Sequence, residues 1–207
     1  YASIGSSPYW CWGYEEGINE YSVVIGNEGV YTRVLAQDIA ASKEGTGPDL
    51  GPTGMDLLKL GLERGKTARE ALDVITDLVE EYGQFGSGQP TMGIDGAYHN
   101  SYIIADPKEA WVLETADKHW IAKRFPKGTT SISNKLSITT DWDLVSSTLI
   151  QHAVEEGWWP KDQTEAFDFE AAYSDNTPAI RAAAIRTQTR ATCSADLLAE
   201  KEGQITP

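Results

Sequence analysis

Three short runs of β-forming residues that follow one another closely limit what this sequence can fold into. They occupy residues 101–106 (SYIIAD), 110–115 (AWVLET) and 119–124 (HWIAKR), with only a few turn residues between them. Links this short join antiparallel neighbours, because a parallel pair needs a crossover of about a dozen residues or more. The sequence therefore predicts an antiparallel meander near the middle of the chain.

Two amphipathic helices precede these strands. Residues 54–64 carry apolar side chains at three- and four-residue spacing, and Gly65 follows as a helix terminator. Thr67 and Glu70 form a capping-box pattern that opens a second helix, which ends before Gly83. Helices joined by so short a link form an antiparallel pair that lays its apolar stripe on a sheet. The predicted fold class is α+β, with antiparallel sheets covered by helices.

Composition assigns the remaining segments. We expect irregular structure at 1–13, strands at 21–26 and 30–34, a loop at 36–53, a glycine-rich loop at 83–100, a fourth strand at 129–134, and helices from about residue 141 onward, including 142–157, 178–190 and 194–203. The glycine-rich loop is a candidate lid or pocket rim, since loops of this length are often functional. No repeat or linker divides the sequence, so we expect a single domain over residues 1–207.

The charge of the chain bears on its partners. Thirty-one acidic residues against seventeen basic ones give a net charge of -14. Such a chain repels phosphate backbones and anionic lipid surfaces. No apolar segment approaches the roughly 20 residues that span a bilayer. We therefore expect neither nucleic acid nor a membrane as a partner, and we favour the cytoplasm over secretion, although the sequence identifies no compartment.

Cysteines and histidines are few and scattered. Cys11 and Cys193 lie far apart, and His99, His119 and His152 show no metal-ligand spacing. We expect no metal and no cofactor. Two reduced thiols are the favoured interpretation, with one long-range disulfide as the alternative.

The common catalytic signatures are absent from the sequence, but two asparagines remain as candidates. There is no GxSxG elbow, no P-loop and no GxGxxG fingerprint in the right context. Asn27 (IGNEG) and Asn134 (SISNK) each end a predicted strand, and a rigid amide N–H can act as an oxyanion-hole donor. Asn and Gly are also common turn residues, so the pattern alone favours a turn at each position.

Longer motifs in this sequence resemble one family. In chain order they are WGYEEGINEYSVVIGNE (12–28), GMDLLKLGLER (54–64), TAREALDVI (67–75), YHNSYIIAD (98–106), EAWVLETA (109–116) and ISNKLSITT (132–140). Together they resemble the secernin and C69 dipeptidase family of N-terminal nucleophile hydrolases over roughly residues 9 to 200. That resemblance implies an αββα sandwich, of which we expect only part in this chain.

The resemblance also implies a chemistry and a set of site residues. It implies hydrolysis of a small peptide or amide by an N-terminal cysteine, whose own α-amine activates the thiol. Asn27 and Asn134 match the family's oxyanion-hole asparagines, and we expect their side chains to converge on one cleft. Arg190 is the expected pocket arginine, with Arg186 almost equally placed. Glu28 is expected to orient an amide, to select a substrate amine, or to be a solvated turn carboxylate.

The family's nucleophile is expected upstream of the first motif. Cys11, in the run WCW, stands where the family has an ordinary apolar residue, and we expect it to be a packed core thiol. The chain is then an internal segment of a longer enzyme and inactive alone, with a second copy or other segments of the same protein as its expected partners. The alternative is a noncatalytic scaffold or interaction protein that keeps the fold without the nucleophile.

Overall fold

A single antiparallel sheet forms the centre of the computed structural model, which describes residues 1–89, 91–162 and 164–204. Its seven strands follow chain order, each paired with the next. They are β1 (Ser3–Ser6), β2 (Glu16–Asn19), β3 (Val24–Val30), β4 (His99–Ala105), β5 (Ala110–Ala116), β6 (His119–Phe125) and β7 (Leu144–Val145). The meander predicted from residues 101–124 is confirmed as β4, β5 and β6.

Within the described residues, six α-helices and one 3-10 helix accompany the sheet. They are α1 (Arg33–Lys43), α2 (Gly54–Arg64), α3 (Ala68–Tyr82), the 3-10 helix Gly93–Gly96, α4 (Leu149–Glu155), α5 (Phe169–Tyr173) and α6 (Pro178–Glu200). The α+β class and the helix-covered antiparallel sheet are confirmed. Within the described ranges, no helix has both the length and the apolar content that a membrane-spanning segment requires.

The helix pair α2 and α3 forms as predicted, with side-chain caps at both starts. A reciprocal capping box joins Thr53 and Asp56 at α2. At α3, the Thr67 hydroxyl accepts from Glu70 N at 3.1 Å, but the Glu70 carboxylate accepts from Lys66 N at 2.8 Å. The predicted box therefore closes one residue before the N-cap.

The two faces of the sheet cover two separate cores. The α2 and α3 face buries Ile25, Leu58, Leu62, Leu72, Ile75, Tyr102, Ile104 and Leu113. The opposite face buries Val30, Val112 and Ile121 against α4, α5 and the extended segment 132–138, through Leu136, Ile138, Leu149, Ala153, Phe169 and Tyr173. The described residues thus supply one helical layer and one sheet of the expected sandwich.

Two sequence predictions near the start of the chain are wrong. The interval 36–53 is not all loop, because α1 begins at Arg33 behind the Thr32 N-cap and runs to Lys43. Strand β3 does not break at residues 26–29, because β4 pairs with it continuously from Val24 to Val30, while β2 pairs with residues 24–26. Asn27 therefore lies inside a strand and not at its end. Strand β1 also lies within residues 1–13, where irregular structure was expected.

Three later segments also differ from the predictions. Residues 129–134 form no strand and make only one isolated bridge, Ser133 to Lys135. The interval 142–157 contains the short strand β7 before α4 begins. The two helices expected at 178–190 and 194–203 are one helix, α6, which ends at Glu200. That residues 1–207 form one domain stays a prediction.

Gly54 packs directly beneath a buried polar side chain. A Cβ built there would lie 2.1 Å from Asn100 Oδ1, and Asn100 is held by hydrogen bonds to Asn27 and Gln84. We expect Gly54→Ala to lower the free energy of unfolding by about 1–3 kcal/mol in urea denaturation, because the network must shift. Gly86→Ala is the matched control, since its nearest neighbour lies at 3.7 Å. Equal stability of both variants would contradict the close packing.

Candidate active site

The two-residue period of β3 decides which side chains meet around the predicted site. Asn27 lies opposite Tyr102 and shares the face of Ile25, which packs beneath α2 and α3. Glu28 lies opposite Ser101 and shares the face of Val30 in the second core. Successive strand residues point to opposite faces. The side chains of Asn27 and Glu28 therefore point to opposite faces of the sheet.

Asn27 is part of a polar network on the sheet face that packs against α2 and α3. Its Nδ2 donates to Glu15 O at 2.9 Å, and its Oδ1 accepts from Asn100 Nδ2 at 2.7 Å. Gln84 Nε2 donates in turn to Asn100 Oδ1, and Thr115 Oγ1 donates to Gln84 Oε1 at 2.5 Å. Asn100, Gln84 and Thr115 are buried. Both ends of the Asn27 amide thus bind the chain itself, which ties β3 to β4 and to the residues before β2.

Asn134 lies on the other face and connects three parts of the chain. Its Nδ2 donates to Glu28 Oε2 at 2.8 Å and to Gly29 O at 3.0 Å. Its Oδ1 accepts from an Arg190 NH2 group at 2.8 Å. Arginine only donates, and a carboxylate or carbonyl only accepts, so these partners fix which end of the amide carries the nitrogen.

The structure brings Asn134 into contact with Arg190 and with Glu28, and not with Asn27. The expected convergence of Asn27 and Asn134 on one cleft is not found, because the side chains lie on opposite faces of the sheet. No hydrogen bond joins the exposed Arg186 to Asn134 in the described part of the chain. The catalytic roles of Asn27, Asn134 and Arg190 stay predictions.

A buried carboxylate holds the segment that carries Asn134. Glu114 is fully buried and accepts from Ser137 N at 2.8 Å, Ser137 Oγ at 2.7 Å and Ile138 N at 3.2 Å. Desolvation raises the pKa of this carboxyl to about 7, against the opposing effect of those hydrogen bonds. The segment gains hydrogen bonds from Glu114 that it would otherwise obtain from a neighbouring strand.

Contacts from α5 and α6 hold the other side of the same segment. Lys135 Nζ lies 3.1 Å from Glu170 Oε1 and donates to Gln188 Oε1 at 3.0 Å. The Ser131 and Ser194 hydroxyls lie 2.8 Å apart. A cavity of ≈ 620 Å³ remains between residues 128–137 and α6. Its lining is rich in hydroxyl groups, from Thr129, Thr130, Ser131, Ser133, Ser137 and Thr192.

His99 has a structural role, because both of its ring nitrogens are hydrogen-bonded within the chain. Asp117 N donates to its Nε2 at 3.1 Å, so Nδ1 carries the proton and donates to Thr32 Oγ1 at 2.8 Å. Thr32 in turn caps α1 by accepting from Leu35 N. Complete burial lowers the pKa of His99 to about 3, so the ring is neutral at physiological pH.

Both cysteines are free thiols, and neither belongs to a hydrophobic core. Cys11 is half-buried, so the expectation of a packed core thiol is wrong. Its Sγ lies 3.5 Å from Gly13 O, and burial raises the pKa of the thiol. Cys193 is exposed on α6. Among the described residues, no group of three His, Cys, Asp or Glu side chains is arranged to hold a metal ion.

Comparison with known proteins places the chain in a family. The sequence model of peptidase family C69 matches residues 11–187. Because this match covers most of the sequence, the chain belongs to peptidase family C69, which confirms the resemblance to the C69 dipeptidases.

A curated relative shows how much of a family member this chain represents. The chain is 33% identical over 138 residues to a dipeptidase of Bifidobacterium longum (strain NCC 2705). The matched region covers 61% of this chain and 23% of the relative. The chain therefore spans about a quarter of the length of the curated relative that it matches.

Sequence reasoning left the role of Glu28 open and missed Glu114. The signal for Glu28 lies in the strand period, because Ile25 is buried beneath the helices and an unbroken strand places residue 28 on the other face. Glu114 offered no such signal. A charged residue within an otherwise apolar strand shows that some partner is required, but not which one.

The raised pKa of Glu114 predicts a pH-dependent stability. An unfolded glutamate titrates near 4.5 and the folded one near 7, so the folded chain holds more protons between these values. The free energy of unfolding therefore falls as pH rises from about 4.5 to about 7, by about 3 kcal/mol from this group. We expect this fall to be absent from the pH profile of Glu114→Gln. The difference between the parent and variant profiles then gives the contribution of Glu114.

The control for this experiment is Glu44→Gln, which changes an exposed glutamate at the end of α1. Other shifted groups, such as Asp38 with its pKa raised to about 6 by burial, are present in all three proteins and cancel in the subtraction. Parallel profiles for the parent chain and Glu114→Gln would show that Glu114 does not titrate as described.

Proposed function

We propose that this chain is part of a cysteine-type hydrolase that cleaves small peptide or amide bonds, as a dipeptidase does, by an N-terminal nucleophile mechanism. The observation that supports it is the contact of Asn134 with Arg190 and Glu28, in a chain of peptidase family C69. The dipeptidase named among the relatives supports the substrate class.

In this proposal the nucleophilic cysteine comes from outside these 207 residues. Its α-amine takes the thiol proton, and the thiolate attacks the substrate carbonyl. The negative charge that develops on the carbonyl oxygen is stabilised by the Asn134 amide. Arg190 holds the Oδ1 end of that amide and adds positive charge nearby. Loss of the amine gives an acyl-enzyme, which water then hydrolyses.

A noncatalytic scaffold is the second candidate, and one observation favours it. In the described part of the chain, neither cysteine hydrogen-bonds to Asn134 or Arg190, and burial raises the pKa of the Cys11 thiol. Intact mass and N-terminal sequencing of the native protein separate the two candidates. A mature N-terminal cysteine upstream of Tyr1 supports the enzyme, and a native start without one supports the scaffold.

Substitutions in the native protein test the catalytic proposal. We expect Asn134→Ala to lower kcat for dipeptide hydrolysis by about 100- to 1000-fold, the usual loss for one oxyanion donor. Arg190→Ala should also lower kcat, because the amide loses the partner that orients it. Arg186→Ala is the matched control on the same helix and should stay within about twofold of the parent. Unchanged kcat in Asn134→Ala would contradict the proposed role.

A further inference from the structure

The amide nitrogen of Asn134 has no hydrogen left to offer a substrate in this structure. A side-chain amide carries two N–H donors, and here one goes to Glu28 Oε2 and the other to Gly29 O. The Oδ1 end is occupied by Arg190, so the amide cannot rotate without losing that bond. An oxyanion-hole donor must point at the developing charge. A donor role for Asn134 therefore requires that one of these two acceptors be displaced.

Of the two acceptors bound to Asn134 Nδ2, the Glu28 carboxylate is the one that can move away. Gly29 O belongs to the backbone of β3 and is fixed by the sheet, whereas Glu28 is a half-buried side chain. Among the ion pairs formed by the described residues, none includes Glu28. The nearby cations have other partners, because Arg190 binds the Asn134 oxygen and Lys135 binds Glu170 and Gln188. The Glu28 carboxylate thus has a neutral amide as its partner.

We propose that Glu28 binds the free α-ammonium group of the substrate, and that this contact releases an Asn134 N–H for the oxyanion. The inference rests on the proposed function. A bond between an ammonium and a carboxylate is charge-assisted at both ends, so it is stronger than the amide-to-carboxylate bond and favours a position of the Glu28 carboxylate directed at the ammonium. The ammonium also presents three donors from a compact centre.

The distances within a peptide fit this arrangement. The α-nitrogen and the carbonyl oxygen of the first residue are separated by three bonds of about 1.2–1.5 Å each. A carboxylate and an amide nitrogen 2.8 Å apart can therefore engage both groups of one residue. Peptides with a free amino terminus are the substrate class that this geometry selects, and N-acylated peptides leave Asn134 blocked.

A binding experiment on this chain tests the release step without any catalysis. The probes are glycinamide, which is cationic below about pH 8, and N-acetylglycinamide, which is neutral. The side-chain amide signals of Asn134 are followed by NMR in the ¹⁵N-labelled chain and assigned by their loss in Asn134→Asp. We expect glycinamide to shift these signals in a saturable way and to bind at least about tenfold more tightly than N-acetylglycinamide.

Two variants complete the experiment. Glu28→Gln keeps the size of the side chain and removes its charge, and we expect it to abolish the preference for glycinamide. Glu16→Gln is the matched control, because Glu16 is an exposed carboxylate on the same sheet face, opposite Gly26. The preference should survive in that variant. Equal responses to both probes in the parent chain, or an unchanged preference in Glu28→Gln, would overturn the proposal.

Activity of the native protein gives an independent readout. If it hydrolyses dipeptides, the ratio of kcat/KM for a free dipeptide over its N-acetylated form should fall at least about tenfold in Glu28→Gln. A native protein that hydrolyses neither form refutes the proposed function and leaves the NMR result standing. Hydrolysis with an unchanged ratio refutes the role of Glu28 alone.

Discussion

The alternation of side chains along β3 is the constraint on which the arrangement of the site depends. An unbroken strand places Asn27 under α2 and Glu28 on the opposite face, where Asn134 reaches it. A one-residue shift in register would exchange these positions and move Ile25 out of its core. The burial of Ile25 on one side and Val30 on the other holds the register, so the two hydrophobic cores also determine which polar groups meet.

The site also depends on a fixed position for the irregular segment that carries Asn134. Residues 132–138 pair with no strand in the part of the chain that the structure describes. Oxyanion chemistry nevertheless needs an amide whose position is fixed. Glu114 supplies acceptors to Ser137 and Ile138 from within the sheet, and α6 supplies contacts to Asn134 and Lys135 from the other side. A buried carboxylate is costly without such donors. Glu114 and the segment therefore stabilise each other.

The parts of the fold that the sequence predicted are those where local signals agree with tertiary structure. Helices α2 and α3 combine apolar spacing, threonine caps and terminal glycines, and the meander has short turns. Helix α1 was missed because it buries only Val34 and Leu35, which gives a weak periodic signal. Strand β3 was divided because Gly26 and Gly29 around two polar residues are typical of a turn. Only the pairing with β4, which runs from Val24 to Val30, shows that the strand continues.

The candidate site was partly predictable for a related reason. The C69 resemblance identified Asn134 and Arg190, and the structure joins them by a hydrogen bond of 2.8 Å. The resemblance selected Asn27 as the strand residue, whereas the residue that contacts Asn134 is its neighbour. A motif identifies a residue's position along the chain. The sheet face to which its side chain points depends on whether the strand is continuous. Side-chain contacts over long sequence separation, such as Glu28 with Asn134, follow only from the fold.

A double-mutant cycle in urea denaturation tests most directly whether Glu28, and not Asn27, lies against Asn134. The cycle compares Glu28→Ala, Asn134→Ala and the double variant, beside a second cycle that pairs Asn27→Ala with Asn134→Ala. The structure predicts a coupling free energy of about 1 kcal/mol between Glu28 and Asn134, and additivity within about 0.5 kcal/mol for Asn27 and Asn134. Additivity in the first cycle with coupling in the second would contradict the account.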